Sequence, residues 1–187
     1  MSRSALAVLI YVLGLAAPVL ADDNFSSLKD RVRGGDFSVD FRALRMAYAA
    51  TPAYRPNTGV SLAFRQRVQV ALEAKKFTTA LQASDDWLAQ EYVNPFAHLG
   101  AARAHDALGH AEQARFHQRV ADRLYESICR DGEGFSVDSP CPVLSIDEEH
   151  FYLARHRFIM GTNYGATCRG DRPCNVYEVR EPESDVL

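Results

Sequence analysis

Across residues 62–128 the apolar positions recur with a helical period. Ala97, Ala101, Ala104 and Leu108 fall on one stripe, and Ala114, Ala121, Leu124 and Ile128 on another, with charged and polar residues between them. Spacings of three, four and seven predict two amphipathic helices that each bury one face. Asn94-Pro95 interrupts the chain ahead of this pair, because proline has no N–H to donate within a helix. Upstream, residues 22–33 carry Phe25, Leu28 and Val32 on one side and end at Gly34-Gly35, the mark of a short helix. Ser38 then precedes Phe41, Leu44, Ala47 and Tyr48, a further helical pattern that stops before Thr51-Pro52 and is expected to cover the first face of the downstream hairpins. Residues 51–56 form a stiff connector punctuated by Pro52 and Pro56, suited to holding Tyr54 in place.

The pattern over 62–128 resembles two tetratricopeptide hairpins offset by 34 residues. Taking Ala80 and Ala114 as the small residues that open the second helix of each pair, the contact positions upstream are Phe64, Val68 and Ala71, then His98, Ala102 and His105. Lys75 and Gly109 occupy the turns, Ser84 and Trp87 come next in the first repeat, and Gln118 and Ala121 in the second. Only Ala63/Ala97 and Ala80/Ala114 are identical between residues 62–91 and their partners, so the helix pairs rest on periodicity rather than on repeated sequence.

Past Ile128 the period changes. Asp131-Gly-Glu-Gly134 and Asp138-Ser-Pro140 are turn chemistry, and short apolar bursts predict strands near 143–146, 151–160 and 176–180. The expected fold is mainly α: tetratricopeptide-like hairpins within a helical part, 36–129, capped by a small antiparallel β element in a C-terminal part, 141–181. Residues 182–187 read as a polar tail.

Residues 1–21 read as a secretory signal, with Arg3, an apolar run over 5–17, Pro18 and a small-residue cleavage site at Val19-Leu20-Ala21. The run is too short to span a bilayer, and Asp22 stands where a lipoprotein would need cysteine, so no membrane anchor is expected after cleavage. The remainder, 22–187, is expected to be one exported domain, periplasmic or secreted from a bacterium, long enough to bury a core without a metal. Asn24-Phe-Ser26 matches a glycosylation acceptor by chance in such a chain. The net charge of −3, well mixed, lacks the basic stripe that a phosphate backbone requires and argues against nucleic acid.

Export makes the four cysteines informative, because all lie in the last third and reach an oxidising compartment. Of three possible connectivities, Cys129–Cys141 and Cys168–Cys174 are expected. Each encloses a turn-rich segment with little apolar surface, where a crosslink helps most.

Several stretches in order resemble the domain of unknown function 4919 family of exported bacterial proteins: Thr51-Pro-x-Tyr54-x-Pro56, Asn94 with Ala97-His98, Leu108-Gly109 with His117, Ser127-Ile128, Asp131-Gly-x-Gly134, and Val143 with Glu148-Glu149. The resemblance covers the chain from Phe41 to the last strand. It implies the helical-repeat fold and its C-terminal boundary, and no activity.

Two constellations could carry function. On repeat scaffolds the first helices line the binding surface, which here presents Arg65, Gln69 and Glu73, then Leu99, Arg103 and Asp106. Of these, Arg65, Gln69, Arg103 and Asp106 are the candidate contacts to a protein or peptide partner; on the plainer reading they are only a solvated face. The other constellation is His98, His105 and His117 in one hairpin. His98 and His117, meeting across the helix pair with Glu148, Glu149 or Asp131, would suit a metal or a hydrolytic base. Read plainly, they are core histidines that lock the hairpin. No nucleophile elbow, phosphate loop, calcium loop or cofactor motif occurs, and no reaction is assigned.

Overall fold

A computed structural model describes residues 4–10, 18–56, 60–130, 133–156, 158–169 and 171–180. They form seven helices and four strands, grouped into two compact units, one of residues 13–127 and one of residues 1–12 with 128–187.

The first unit is helical: α1 (Pro18–Arg33), α2 (Phe41–Ala49), α3 (Val60–Glu73), α4 (Phe77–Gln90), α5 (Pro95–Ala107) and α6 (Ala111–Glu126). Helix α1 begins four residues before the expected start and ends, as read, at the two glycines, where Gly35 takes φ +88°. Helix α2 starts two residues later than Ser38 suggests. Asp40 is its cap, accepting from the N–H groups of Arg42 and Ala43, whereas the Ser38 hydroxyl is spent on Asp36 at 2.6 Å. The four hairpin helices lie where the apolar period places them. Asn94 caps α5 with Pro95 in its first turn. Both tight turns pass through the left-handed region, Lys75 at φ +55° and Gly109 at φ +80°. The two positions are 34 residues apart, so the backbone repeats where the side chains do not.

Small residues let these helices approach closely. Ala80, Ala97, Ala101, Ala104 and Ala121 are wholly buried. One cluster joins Phe64, Val68, Ala83, Trp87 and Ala97, and a second joins Ala71, Ala80 and Ala104. Trp87 is the large plug, stacked on Phe64 with centroids 6.1 Å apart; burying a ring of this size contributes on the order of 4–6 kcal/mol by transfer. Helix α2 packs on α1 and on α6, and its Tyr48 hydroxyl donates to the Gln90 carbonyl at the end of α4 at 3.4 Å. Its Phe41 ring lies under the Arg123 guanidinium at 5.6 Å, and fully buried Arg45 donates to the Ser127 carbonyl at 2.8 Å, at the C-terminus of α6.

The second unit holds β1 (Ser4–Ile10), β2 (Cys141–Val143), α7 (Ile146–Arg155), β3 (Ile159–Cys168) and β4 (Arg172–Arg180), with the sheet in the order β2-β1-β4-β3. Strand β1 runs parallel to β2 and antiparallel to β4. Strands β3 and β4 pair antiparallel, with one extra residue in β3 between Met160 and Asn163. The last strand holds the expected 176–180. A strand over 151–160 does not form. Ser145 caps a helix there by accepting from the Glu148 N–H, three acidic residues fill the first turn, and Phe151, Tyr152 and Leu153 are all buried, so the helix is covered on more than one side. The expected strand at 143–146 is shifted to Cys141–Val143 for the same reason, since Ser145 already belongs to the cap.

The cysteines pair as expected. Cys129–Cys141 and Cys168–Cys174 have Cα atoms 4.9 and 5.9 Å apart, within the range a bridge needs. The second bridge closes the β3–β4 turn, in which Asp171 takes φ +55°. Of the expected leader, residues 1–3 and 11–17 lie outside the described residues, as do Asp131, Gly132 and the tail after Arg180. Among the described residues no helix is long and apolar enough to cross a membrane.

Candidate binding cleft and the histidine pair

Helices α3 and α5 flank a cleft of about 310 Å³. Its apolar lining comes from Val68, Leu72, Trp87, Phe96 and Leu99, and Arg65, Gln69, Glu73 and Arg103 supply the polar groups. These positions share one surface because Arg65, Gln69 and Glu73 are four residues apart on α3, and Leu99 and Arg103 four apart on α5. Three of the four sequence candidates therefore line one cleft, while Asp106, one turn further along α5, is exposed outside it. The Arg65 guanidinium lies 5.3 Å from the centroid of the Phe96 ring, and the Gln69 amide donates to Glu73 at 2.8 Å. Two cations against one carboxylate give the rim a positive excess.

Gly100 sets the depth of this cleft. A Cβ built on it would lie 2.6 Å from Val68 Cγ1 and 2.7 Å from Ser84 Oγ, so α5 reaches α3 and α4 only because no side chain is there. At the far end of α4, Glu91 Oε2 accepts from the Ser61 hydroxyl (2.7 Å), the Trp87 indole (3.1 Å) and the Asn94 amide (2.9 Å). One carboxylate thus ties α3, α4 and the start of α5 together and fixes the Trp87 ring at the base of the cleft.

His98 and His117 do meet across the α5/α6 hairpin, Nδ1 to Nδ1 at 2.9 Å. His98 is fully buried, and its Nε2 lies 2.8 Å from the Tyr92 carbonyl, which can only accept. His98 Nε2 therefore carries the proton, its Nδ1 is bare, and His117 Nδ1 must donate to it. Burial, then the neighbouring imidazole, pushes His98 down to about 3; burial, then His105, pushes His117 down to about 4. His105 stacks on His117 with centroids 5.5 Å apart and faces His110, Nδ1 to Nδ1 at 3.2 Å. Its own value is lowered by burial and by His110. The result is a file of imidazoles across the hairpin, in which the neutral His98–His117 pair ties the two helices. Among the described residues no group of three or more His, Cys, Asp or Glu side chains is placed to hold a metal.

Of the carboxylates offered as partners for these histidines, Asp131 lies outside the described residues, and Glu148 and Glu149 belong to the second unit and have local roles there. Glu148 accepts from the Leu144 N–H at 2.7 Å. Glu149, 1% exposed, accepts from the Asn175 amide at 3.2 Å and from the Tyr177 hydroxyl, and the Tyr177 phenol is pushed up to about 12 by burial and by this carboxylate. Arg45, Glu91 and Gly100 were missed by sequence reasoning. The one available signal was Gly100 itself, a helix-weakening residue in the middle of an otherwise regular apolar stripe.

No protein family, curated protein or solved structure matches the chain.

Proposed function

We propose that the chain is an exported binding module of the bacterial cell envelope that takes an extended peptide segment of a partner protein into the α3/α5 cleft. The observation that carries this is the cleft itself: an aromatic and aliphatic floor rimmed by Arg65, Gln69 and Arg103, on the surface that a helical-repeat scaffold leaves open. An apolar side chain flanked by carboxylates suits that floor and the positive excess at its rim. Export is supported by the leader pattern over 1–21 and by four cysteines set at bridging distance. On this reading the chain is a relative of the domain of unknown function 4919 family, a kinship supported by the resemblance of its ordered stretches from Thr51 to Glu149.

The test is charge reversal at the rim. Arg65→Glu with Arg103→Glu is expected to abolish capture of the partner from an envelope extract, while the circular dichroism and urea midpoint stay those of the native chain. Neither arginine lies in the core. Unchanged capture by the folded double variant overturns the proposal.

A further inference from the structure

The sheet of the second unit is built around the segment that export would remove. Val8–Ile10 of β1 run beside Cys141–Val143 of β2, and Ser4–Leu9 pair with residues 174–179 of β4. We propose that in the exported chain the gap between β2 and β4 is a strand-acceptor slot, filled by an extended, uncharged, small-apolar segment of a partner polypeptide in place of Ser4–Ile10. This rests on the export reading above, because an uncleaved leader never opens the slot.

The need for an occupant comes from the backbone. Without β1, six successive positions of β4 and all three of β2 lose the neighbour on that side, and buried N–H and C=O groups require partners. The flanking side chains are apolar and covered: Cys141, Val143, Val176, Tyr177 and Val179 are at most 4% exposed. Strand addition satisfies both requirements at once, the ladder supplying affinity and the alternating side-chain positions selectivity. The seat also specifies direction, antiparallel to β4 and parallel to β2. It specifies composition as well: Ser-Ala-Leu-Ala-Val-Leu-Ile, the sequence seated there, has no charge over seven residues.

Among the described residues a second copy of the chain supplies no such segment. Its leader is gone, and β3, the strand at the opposite edge, carries two glycines and an extra residue between Met160 and Asn163 that break a seven-residue ladder.

The experiment uses the full precursor, exported by a bacterial host and recovered from the periplasm. Intact mass identifies the N-terminus, expected at Asp22. The processed chain is then titrated with a fluorescent peptide of the Ser4–Ile10 sequence bearing two C-terminal lysines, and with the same peptide carrying Ala7→Pro, which removes a ladder donor. Saturable binding is expected, at least tenfold weaker for the proline peptide, with amide exchange across 174–179 slowed at least tenfold by the first peptide alone. The Arg65→Glu, Arg103→Glu chain should bind the peptide unchanged, which separates the slot from the cleft. A mature chain that retains residues 4–10 overturns the export reading and the slot together. A processed chain that ignores the peptide, or binds both peptides alike, overturns the slot only. A processed dimer that the peptide splits into monomers makes the occupant a second copy and overturns the partner proposed here.

Discussion

Replacing Gly100 by alanine is expected to destabilise the helical unit, although alanine is the better helix former by about 1 kcal/mol. The new Cβ would sit 2.6 Å from Val68 Cγ1 and 2.7 Å from Ser84 Oγ, where unstrained carbon contacts are about 3.5–4.0 Å. Val68 would have to move by roughly 1 Å, and as a β-branched residue in a helix it has one favoured rotamer and little room to turn. Ser84 could swing aside only by giving up its bond to the Ala80 carbonyl, 2.9 Å long. That places the overpacking cost in the upper part of the usual range, about 2–3 kcal/mol, and the net loss at about 1–2 kcal/mol. Urea unfolding measures it as a fall in midpoint at constant slope. The decisive comparison repeats the substitution in a Val68→Ala, Ser84→Ala chain. There both obstructing atoms are gone and the Ser84 Cβ is at an ordinary 3.8 Å. In that background Gly100→Ala should turn stabilising by about 1 kcal/mol, a coupling of about 2–3 kcal/mol between positions in contact. The same sign and size of effect in both backgrounds would refute the close-approach argument.

Two further outcomes are expected. His98 and His117 titrate at about 3 and about 4 in the folded chain, below the 6.5 of a free imidazole. Unfolding therefore takes up protons between pH 4 and 6.5, and stability rises with pH across that window by up to about 1.4 kcal/mol per pH unit for each histidine. Urea unfolding from pH 4.5 to 7 checks this: a His98→Gln, His117→Gln chain should show a visibly shallower dependence, and identical slopes would contradict it. The Cys129–Cys141 bridge closes a separation of 12 residues and Cys168–Cys174 one of 6. Removing them as Cys→Ala pairs should cost about 3 and about 2 kcal/mol respectively in the chain-entropy account, read by denaturation of the sheet-containing unit; a larger loss for the shorter loop would contradict that account.

What could be read from the chain was whatever is decided locally. The α3–α6 hairpins come from apolar period, Asn94-Pro95 and two turn positions, and all of these act within a few residues. The cysteine pairing was legible for the same reason, since each bridge spans one short turn. Helix α7 was misread because Phe151-Tyr-Leu153 is apolar without a decisive period, and the Ser145-x-x-Glu148 cap that settles the matter was overlooked. Strand β1 could not be read at all. A short apolar run serves equally as an export leader or as a strand, and its strand pairing is with residues more than 130 positions away. At the cleft, sequence placed Arg65, Gln69 and Arg103 correctly because they obey helical spacing. The carboxylate of Glu91, the buried guanidinium of Arg45 and the gap at Gly100 take their meaning from other helices, which no single stretch encodes.

The extra residue in β3 bears on how such a protein survives at high concentration. A flat, uninterrupted outer strand is a template on which further molecules can stack into fibrils. Here the outward strand is bent between Met160 and Asn163, Gly161 and Gly165 leave gaps in its row of side chains, and the strand at the other flank, β2, is only three residues long. With the place between β2 and β4 filled, neither flank offers a ribbon long and straight enough to seed growth. Straightening β3 by deleting one residue of the irregularity, for instance Thr162, would remove that defence, and fibrillation would then become limited by concentration rather than by unfolding.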